Sequence, residues 1–136
     1  MSQSRNQLAA EYHAIKQRPI EYLTENGFSI IRLSDIDESI TAAGTRHSFL
    51  VRDPQGYELE ITVDISNSAA AEIISRSSGR LSLRSSYWIC CAERHLADYL
   101  WENDDYPPEA RLKVEVLTLN DLNLARRWGA TEQERH

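Results

Sequence analysis

Residues 48–65 read Ser48-Phe49-Leu50-Val51-Arg52-Asp53-Pro54-Gln55-Gly56-Tyr57-Glu58-Leu59-Glu60-Ile61-Thr62-Val63-Asp64-Ile65, and the fold is decided there. Pro54 at the second turn position and Gly56 at the fourth suit a type I turn, so the flanking arms 48–52 and 57–65 should pair antiparallel. In the second arm Tyr57, Leu59, Ile61, Val63 and Ile65 alternate with Glu58, Glu60, Thr62 and Asp64. That alternation turns one face to a core and an acidic face to water or a partner.

Beyond the hairpin, residues 66–79 read as a helix, with Ser66, Asn67 and Ser68 as capping candidates and Gly79 as its stop. Upstream, residues 28–33 have the β-branched and aromatic content of a strand. Before them Leu8, Tyr12, Ile15, Tyr22 and Leu23 recur at helical spacing, with Pro19 predicting a kink and Gly27 a stop. Downstream, Ser85 or Ser86 opens a helix to about residue 103, which Pro107-Pro108 forbids from continuing. A strand over 111–119 carries Leu112, Val114 and Val116 on one side. Asn120 or Asp121 then caps a short helix bearing Leu122, Leu124, Ala125 and Trp128, ended by Gly129. Residues 35–47 and 103–110 are polar and read as loops.

The expected fold is therefore α+β: one domain over 1–136, with 1–5 and 130–136 as flexible tails. Its sheet has four mainly antiparallel strands with helices chiefly on one face, in the order α-β-β-β-α-α-β-α. The first five elements resemble the order of a double-stranded-RNA-binding domain. That family docks through a lysine-rich start of its second helix, whereas Ser66-Asn67-Ser68-Ala69-Ala70-Ala71-Glu72 carries no positive charge, so the reading is rejected.

Composition excludes several classes. The chain has 136 residues, 41% hydrophobic and 26% charged, which argues against a disordered or disulfide-scaffold protein. Fifteen basic against 21 acidic residues leave a net charge of −6, which repels nucleic-acid backbones and anionic lipid. The longest apolar run, Tyr87-Trp88-Ile89-Cys90-Cys91-Ala92, is far below the ~18 residues of a membrane span. The first residues lack the apolar stretch of a secretory signal, and the two cysteines are adjacent and cannot staple distant segments, so a cytoplasmic location is expected.

Within the helix over 85–103, Trp88, Ile89, Ala92, Leu96, Tyr99 and Leu100 fall on one face, which reads as core. Cys91, His95, Asp98 and Glu102 form a second stripe. A thiolate, an imidazole and a carboxylate could bind zinc, with His47 or His13 as further donors. Zinc ligands commonly come in pairs from two elements, so the favoured reading is a solvated stripe with Asp98 and Glu102 near Arg94, and no metal or cofactor is expected. For acid–base or nucleophilic chemistry the candidates are His95, Cys91 and His47, although mid-helix cysteines are usually structural. Tyr87, Cys90, Ala97 and Trp101 surround Arg94 on a third face, which either the last helix or a second copy covers.

Arg76, Arg80 and Arg84, among serines and next to a helix start at Ser86, could hold a phosphate or carboxylate. Asp98, Glu102, Asp104, Asp105 and Glu109 gather at a helix C-terminus, where the dipole disfavours anions by ~0.3–1 kcal/mol each. Their neutralisation should come from Arg111, Arg126 or Arg127, or from a basic partner. Calcium on Glu102, Asp104, Asp105 and Glu109 would need a spacing that the sequence lacks. The function expected is a binding or regulatory module that engages a protein partner, or itself, through Trp101, Glu102, Asp104, Asp105 and Tyr106. No membrane or nucleic-acid partner is expected, and the reading leans away from an enzyme. The alternative is an anion-binding protein or enzyme with an arginine-lined pocket and a histidine acid–base group.

Overall fold

In the computed structural model the residues described are 21–33, 40–41, 44–77 and 81–134. The strands are β1 (Glu21–Leu23), β2 (Ser29–Arg32), β3 (Ile40–Thr41), β4 (Gly44–Arg52), β5 (Glu58–Ser66) and β6 (Arg111–Val114). Helices α1 (Asn67–Arg76) and α2 (Tyr87–Asn103) lie between β5 and β6, and α3 (Leu119–Glu134) follows β6. One sheet runs β1-β2-β4-β5-β6, with β3 paired to the start of β4. All pairings are antiparallel except β5 with β6, which is parallel. The fold is α+β as expected, but its sheet is mixed and has more strands than four.

β4 and β5 pair without a break from Gly44 with Ser66 to Arg52 with Glu58. At the turn, Gly56 donates to the Asp53 carbonyl at 3.0 Å, and the Asp53 carboxylate accepts from the Gln55 and Tyr57 amides at 3.0 and 2.9 Å. Gly56 sits at φ +96°, a conformation that glycine adopts without steric cost. Thr45, His47, Phe49 and Val51 of β4 are buried on the same face as Ile61, Val63 and Ile65 of β5. Tyr57 and Leu59, near the hairpin tip, are exposed rather than in the core.

Several boundaries differ from the sequence reading. Tyr22 and Leu23 belong to a strand, not a helix, because Thr24 to Gly27 make a hairpin turn. Gly27 donates to the Thr24 carbonyl at 3.1 Å, and Thr24 donates to the Phe28 carbonyl at 2.9 Å. Asn26-Gly27 between strand formers is a hairpin signal as much as a helix stop. The expected helix around Leu8, Tyr12 and Ile15 lies outside the described residues. β4 begins at Gly44, inside the stretch read as a loop, since Thr45 and His47 are polar yet face the core.

The helix starts at Ser66 and Ser85 are among those expected, while other helix and strand ends differ. Ser66 caps α1, accepting from the Ala69 amide at 3.1 Å, and Ser77 ends it before Gly79. At the start of α2 the side chain of Ser85, not Ser86, takes the Tyr87 amide at 3.1 Å. β6 stops at Val114, leaving Val116 exposed. Thr118 rather than Asn120 or Asp121 begins α3: its Oγ1 accepts from the Asp121 amide at 3.1 Å, and Asp121 Oδ2 accepts from the Thr118 amide at 2.8 Å. This reciprocal pair is a capping box with aspartate in place of glutamate. α3 continues through Gly129 to Glu134; one interior glycine costs only about 1 kcal/mol, and Ala125 and Trp128 already hold the helix against the core.

The buried face of the sheet and the inward residues of the helices form one cluster. Trp88, Ile89, Ala92, Leu96 and Leu100 of α2 all belong to it, as the helical spacing predicts, whereas Tyr99, expected on the same face, is half-buried and outside it.

Candidate functional site

The densest polar chemistry lies where α3 crosses α2. Tyr87 starts α2 in edge-on contact with Trp128 of α3, ring centroids 6.0 Å apart, and its hydroxyl donates to the Asp121 carbonyl at 2.8 Å. Burial pushes that hydroxyl's pKa up, keeping it a donor. Held by Tyr87 and by its own capping box, Asp121 projects its carboxylate onto α2. His95 Nε2 lies 2.8 Å from Oδ2, Arg94 Nη2 donates to Oδ1 at 3.1 Å, and the Cys91 thiol is 3.8 Å from Oδ1. The ligand atoms of Cys91, His95 and Asp121 all lie within 4.8 Å of one another.

This carboxylate sets the protonation of the cluster. Its hydrogen bond lifts the His95 pKa to about 10, with the bond to Cys91 acting the same way and burial opposing both, so the imidazole is charged at neutral pH. Burial pushes Asp121 up, but the hydrogen bonds from His95 and Thr118 outweigh it and hold the group at about 2. Arg94, expected beside Asp98 and Glu102, pairs with Asp121 instead.

The arrangement is poorly suited to covalent catalysis. Cys91 is 0% exposed and Asp121 is buried, which shields the sulfur from a substrate; His95 and Arg94 reach the surface, their side chains 19% and 26% exposed. Asp98, the third member of the expected metal stripe, is exposed and outside the cluster. His47 lies on β4, 2% exposed, with Nε2 3.1 Å from Thr45 Oγ1 and Nδ1 without a hydrogen-bond partner. Burial lowers its pKa to about 4, helped by the charge of Arg32 and opposed by Asp64, so it is a neutral core residue. His13 lies outside the described residues.

In the arginine segment, Arg76 ends α1 and is exposed, Arg84 is exposed, and Arg80 lies outside the described residues. Ser86 is exposed and makes no capping bond. The first amides of α2 do not await an anion, because Tyr87 and Trp88 already donate to the side chain and carbonyl of Ser85.

The acidic and aromatic segment divides into two. Asp104 is the left-handed C-cap of α2, and its Oδ1 accepts from Asn26 Nδ2 at 3.1 Å. Tyr106 packs edge-on against Phe28 and donates to the Tyr57 carbonyl at 2.7 Å. Both residues therefore tie the fold together. Trp101, Glu102 and Asp105 face outward. Glu102, Asp104, Asp105 and Glu109 do not converge into a cation site among the described residues. Arg111, one of the expected neutralising cations, lies 4.0 Å from Asp64 instead. Trp101 borders a groove of about 360 Å3 between α2 and β1, lined by Tyr22, Leu23, Thr24, Glu25, Ala97 and Asp98. Trp101, Tyr22 and Leu23 are 53%, 42% and 68% exposed there.

No helix among the described residues is long and apolar enough to cross a membrane. Compared with family models, curated proteins and solved structures, the chain has no significant match.

Proposed function

We propose that the protein is a non-catalytic binding module whose groove between α2 and β1 receives a basic, partly apolar segment of a protein partner. The observation that carries this reading is the placement of exposed Trp101 beside exposed Tyr22 and Leu23, in a groove whose lining among the described residues includes Glu25 and Asp98 and no basic residue. Aromatic side chains supply large contact area, while the surrounding carboxylates select a cationic occupant. Among the described residues β1 is the end strand of the sheet path, the position at which an extended segment can add to a sheet. The chain's net charge of −6 favours approach of the same kind of partner.

The test uses a peptide that alternates lysine with leucine and its glutamate-for-lysine twin. Tryptophan emission is followed during titration at low and high salt. The lysine peptide is expected to bind and to weaken as salt rises, with Trp101→Ala and Glu25→Lys each reducing affinity while the fold is kept. Equal binding of both peptides, or no effect of Trp101→Ala, would refute the proposal. A concentration-dependent dimer dissolved by Trp101→Ala would place a second copy in the groove and overturn the basic partner.

A further inference from the structure

Independently of the groove, we propose that Cys91, His95 and Asp121 form a three-ligand Zn2+ site that clasps α3 to α2, with water completing the coordination on the His95 side. A thiolate, an imidazole and a carboxylate are the donor types that zinc takes in tetrahedral sites. Cys91 and His95 are one turn apart on α2, and Asp121 comes from a second element, which removes the limit on what a single helix stripe can offer. Zinc binds such atoms at about 2.0–2.3 Å, so neighbouring ligand atoms lie roughly 3.3–3.5 Å apart in a tetrahedron. His95 Nε2 and Asp121 Oδ2 are 2.8 Å apart, and Cys91 Sγ and Asp121 Oδ1 are 3.8 Å apart. These two contacts use different carboxylate oxygens, and the three ligand atoms lie within 4.8 Å of one another, so entry of the ion asks the side chains to turn until one oxygen, the sulfur and the imidazole nitrogen close to tetrahedral spacing.

The surroundings hold the carboxylate ready. The Thr118 amide and Arg94 bind its two oxygens from outside the ligand set, the role that outer partners play in fixing metal ligands. The charge balance also closes. The Cys91 thiol proton and the proton shared by His95 and Asp121 leave as the ion enters, so two positive charges depart while two arrive. The buried cluster keeps its net charge, and Arg94 is not placed beside a new excess of positive charge. No redox step is involved. Cys90 is the internal control: its sulfur is 3.5 Å from Arg32 Nη2, outside the cluster.

Chelator-stripped protein is titrated with Co2+ alone, with circular dichroism confirming that it is folded. The wild type is expected to develop a thiolate-to-cobalt charge-transfer band and visible d–d bands that saturate at one equivalent. Zn2+ should bleach these bands and raise the melting temperature. Cys90→Ser should keep every response and Cys91→Ser should lose the charge-transfer band, while His95→Gln weakens Co2+ binding about tenfold or more. No band in the folded wild type, which needs no variant to survive, would overturn the proposal. So would a band that persists in Cys91→Ser or vanishes in Cys90→Ser.

Discussion

Arg32 on β2 and Glu93 on α2 form a two-point ion pair, Nε to Oε2 at 2.9 Å and Nη2 to Oε1 at 3.0 Å, joining the sheet to the helix above it. Glu93 is nearly buried, whereas a quarter of the Arg32 side chain reaches solvent. The hydrogen bond to Glu93 raises the guanidinium's pKa against the opposing pull of burial. Glu93→Ala leaves a half-buried cation without its partner and is expected to cost about 1.5–3 kcal/mol by urea denaturation. Arg32→Met with Glu93→Leu should recover most of that loss, because an apolar pair of similar volume removes both desolvation costs. If the double variant loses the sum of the two single losses, the residues are not coupled.

The His95 and Asp121 contact predicts a loss of stability on the alkaline side in metal-free protein. His95 has a folded pKa of about 10 against an ordinary 6.5, so its contribution is complete below 6.5 and disappears as pH rises toward 10. A charge-assisted buried hydrogen bond of this kind is worth about 1.5–3 kcal/mol. Thermal melts between pH 6.5 and 10 should fall in the wild type and stay flatter in His95→Gln. Parallel curves would refute the assignment.

His47 predicts the opposite limb. Its folded pKa of about 4 lies below the ordinary 6.5, so the unfolded chain binds a proton that the folded one refuses, and stability falls as pH drops from 6.5 toward 4. His47→Gln should flatten that acid limb without changing the alkaline one, as urea midpoints at pH 4.5, 5.5 and 6.5 will show. An acid limb identical to that of the wild type would mean that another group governs it.

Gly44 opens β4 at φ +135°, and a Cβ placed there would lie 2.0 Å from the Ile65 carbonyl oxygen. Gly44→Ala therefore meets both an unfavourable dihedral and backbone that cannot yield, and is expected to cost more than about 3 kcal/mol or to prevent folding. Gly56→Ala shares a positive φ but meets nothing within 4 Å, so its cost should stay near 1 kcal/mol. Equal urea midpoints for the two variants would contradict the close approach at Gly44.

The parts of this fold legible in the sequence are those with a period. The Ile61, Val63 and Ile65 alternation and the Trp88, Ala92, Leu96 repeat each describe a face that one element buries by itself. What escaped is decided between elements. Thr45 and His47 look like loop residues until the opposite strand and the covering helices enclose them. Tyr22 and Leu23 fit a helical repeat as well as a strand, and only pairing with β2 chooses between the two. The polar site was half visible for the same reason: Cys91 and His95 share a helix stripe, but the acid that joins them stands 26 residues beyond His95. Its one local trace, Thr118-x-x-Asp121, speaks of helix capping and not of the cluster.

β6 is made last among the strands, after α1 and α2, and covers β5 only from Thr62 to Ile65. During synthesis, then, the chain passes through a stage in which β5 offers an open flank to any neighbouring nascent copy. Such flanks template aggregation unless charge guards them. The solvent face of β5 carries Glu58, Glu60 and Asp64, of which Glu58 and Asp64 pair across the hairpin with Arg52 and Arg46, so the open flank presents charged side chains to a copy that meets it. Charged side chains of this kind flanking an apolar strand are expected to discourage edge-to-edge pairing in the interval between translation of α2 and arrival of Arg111–Val114.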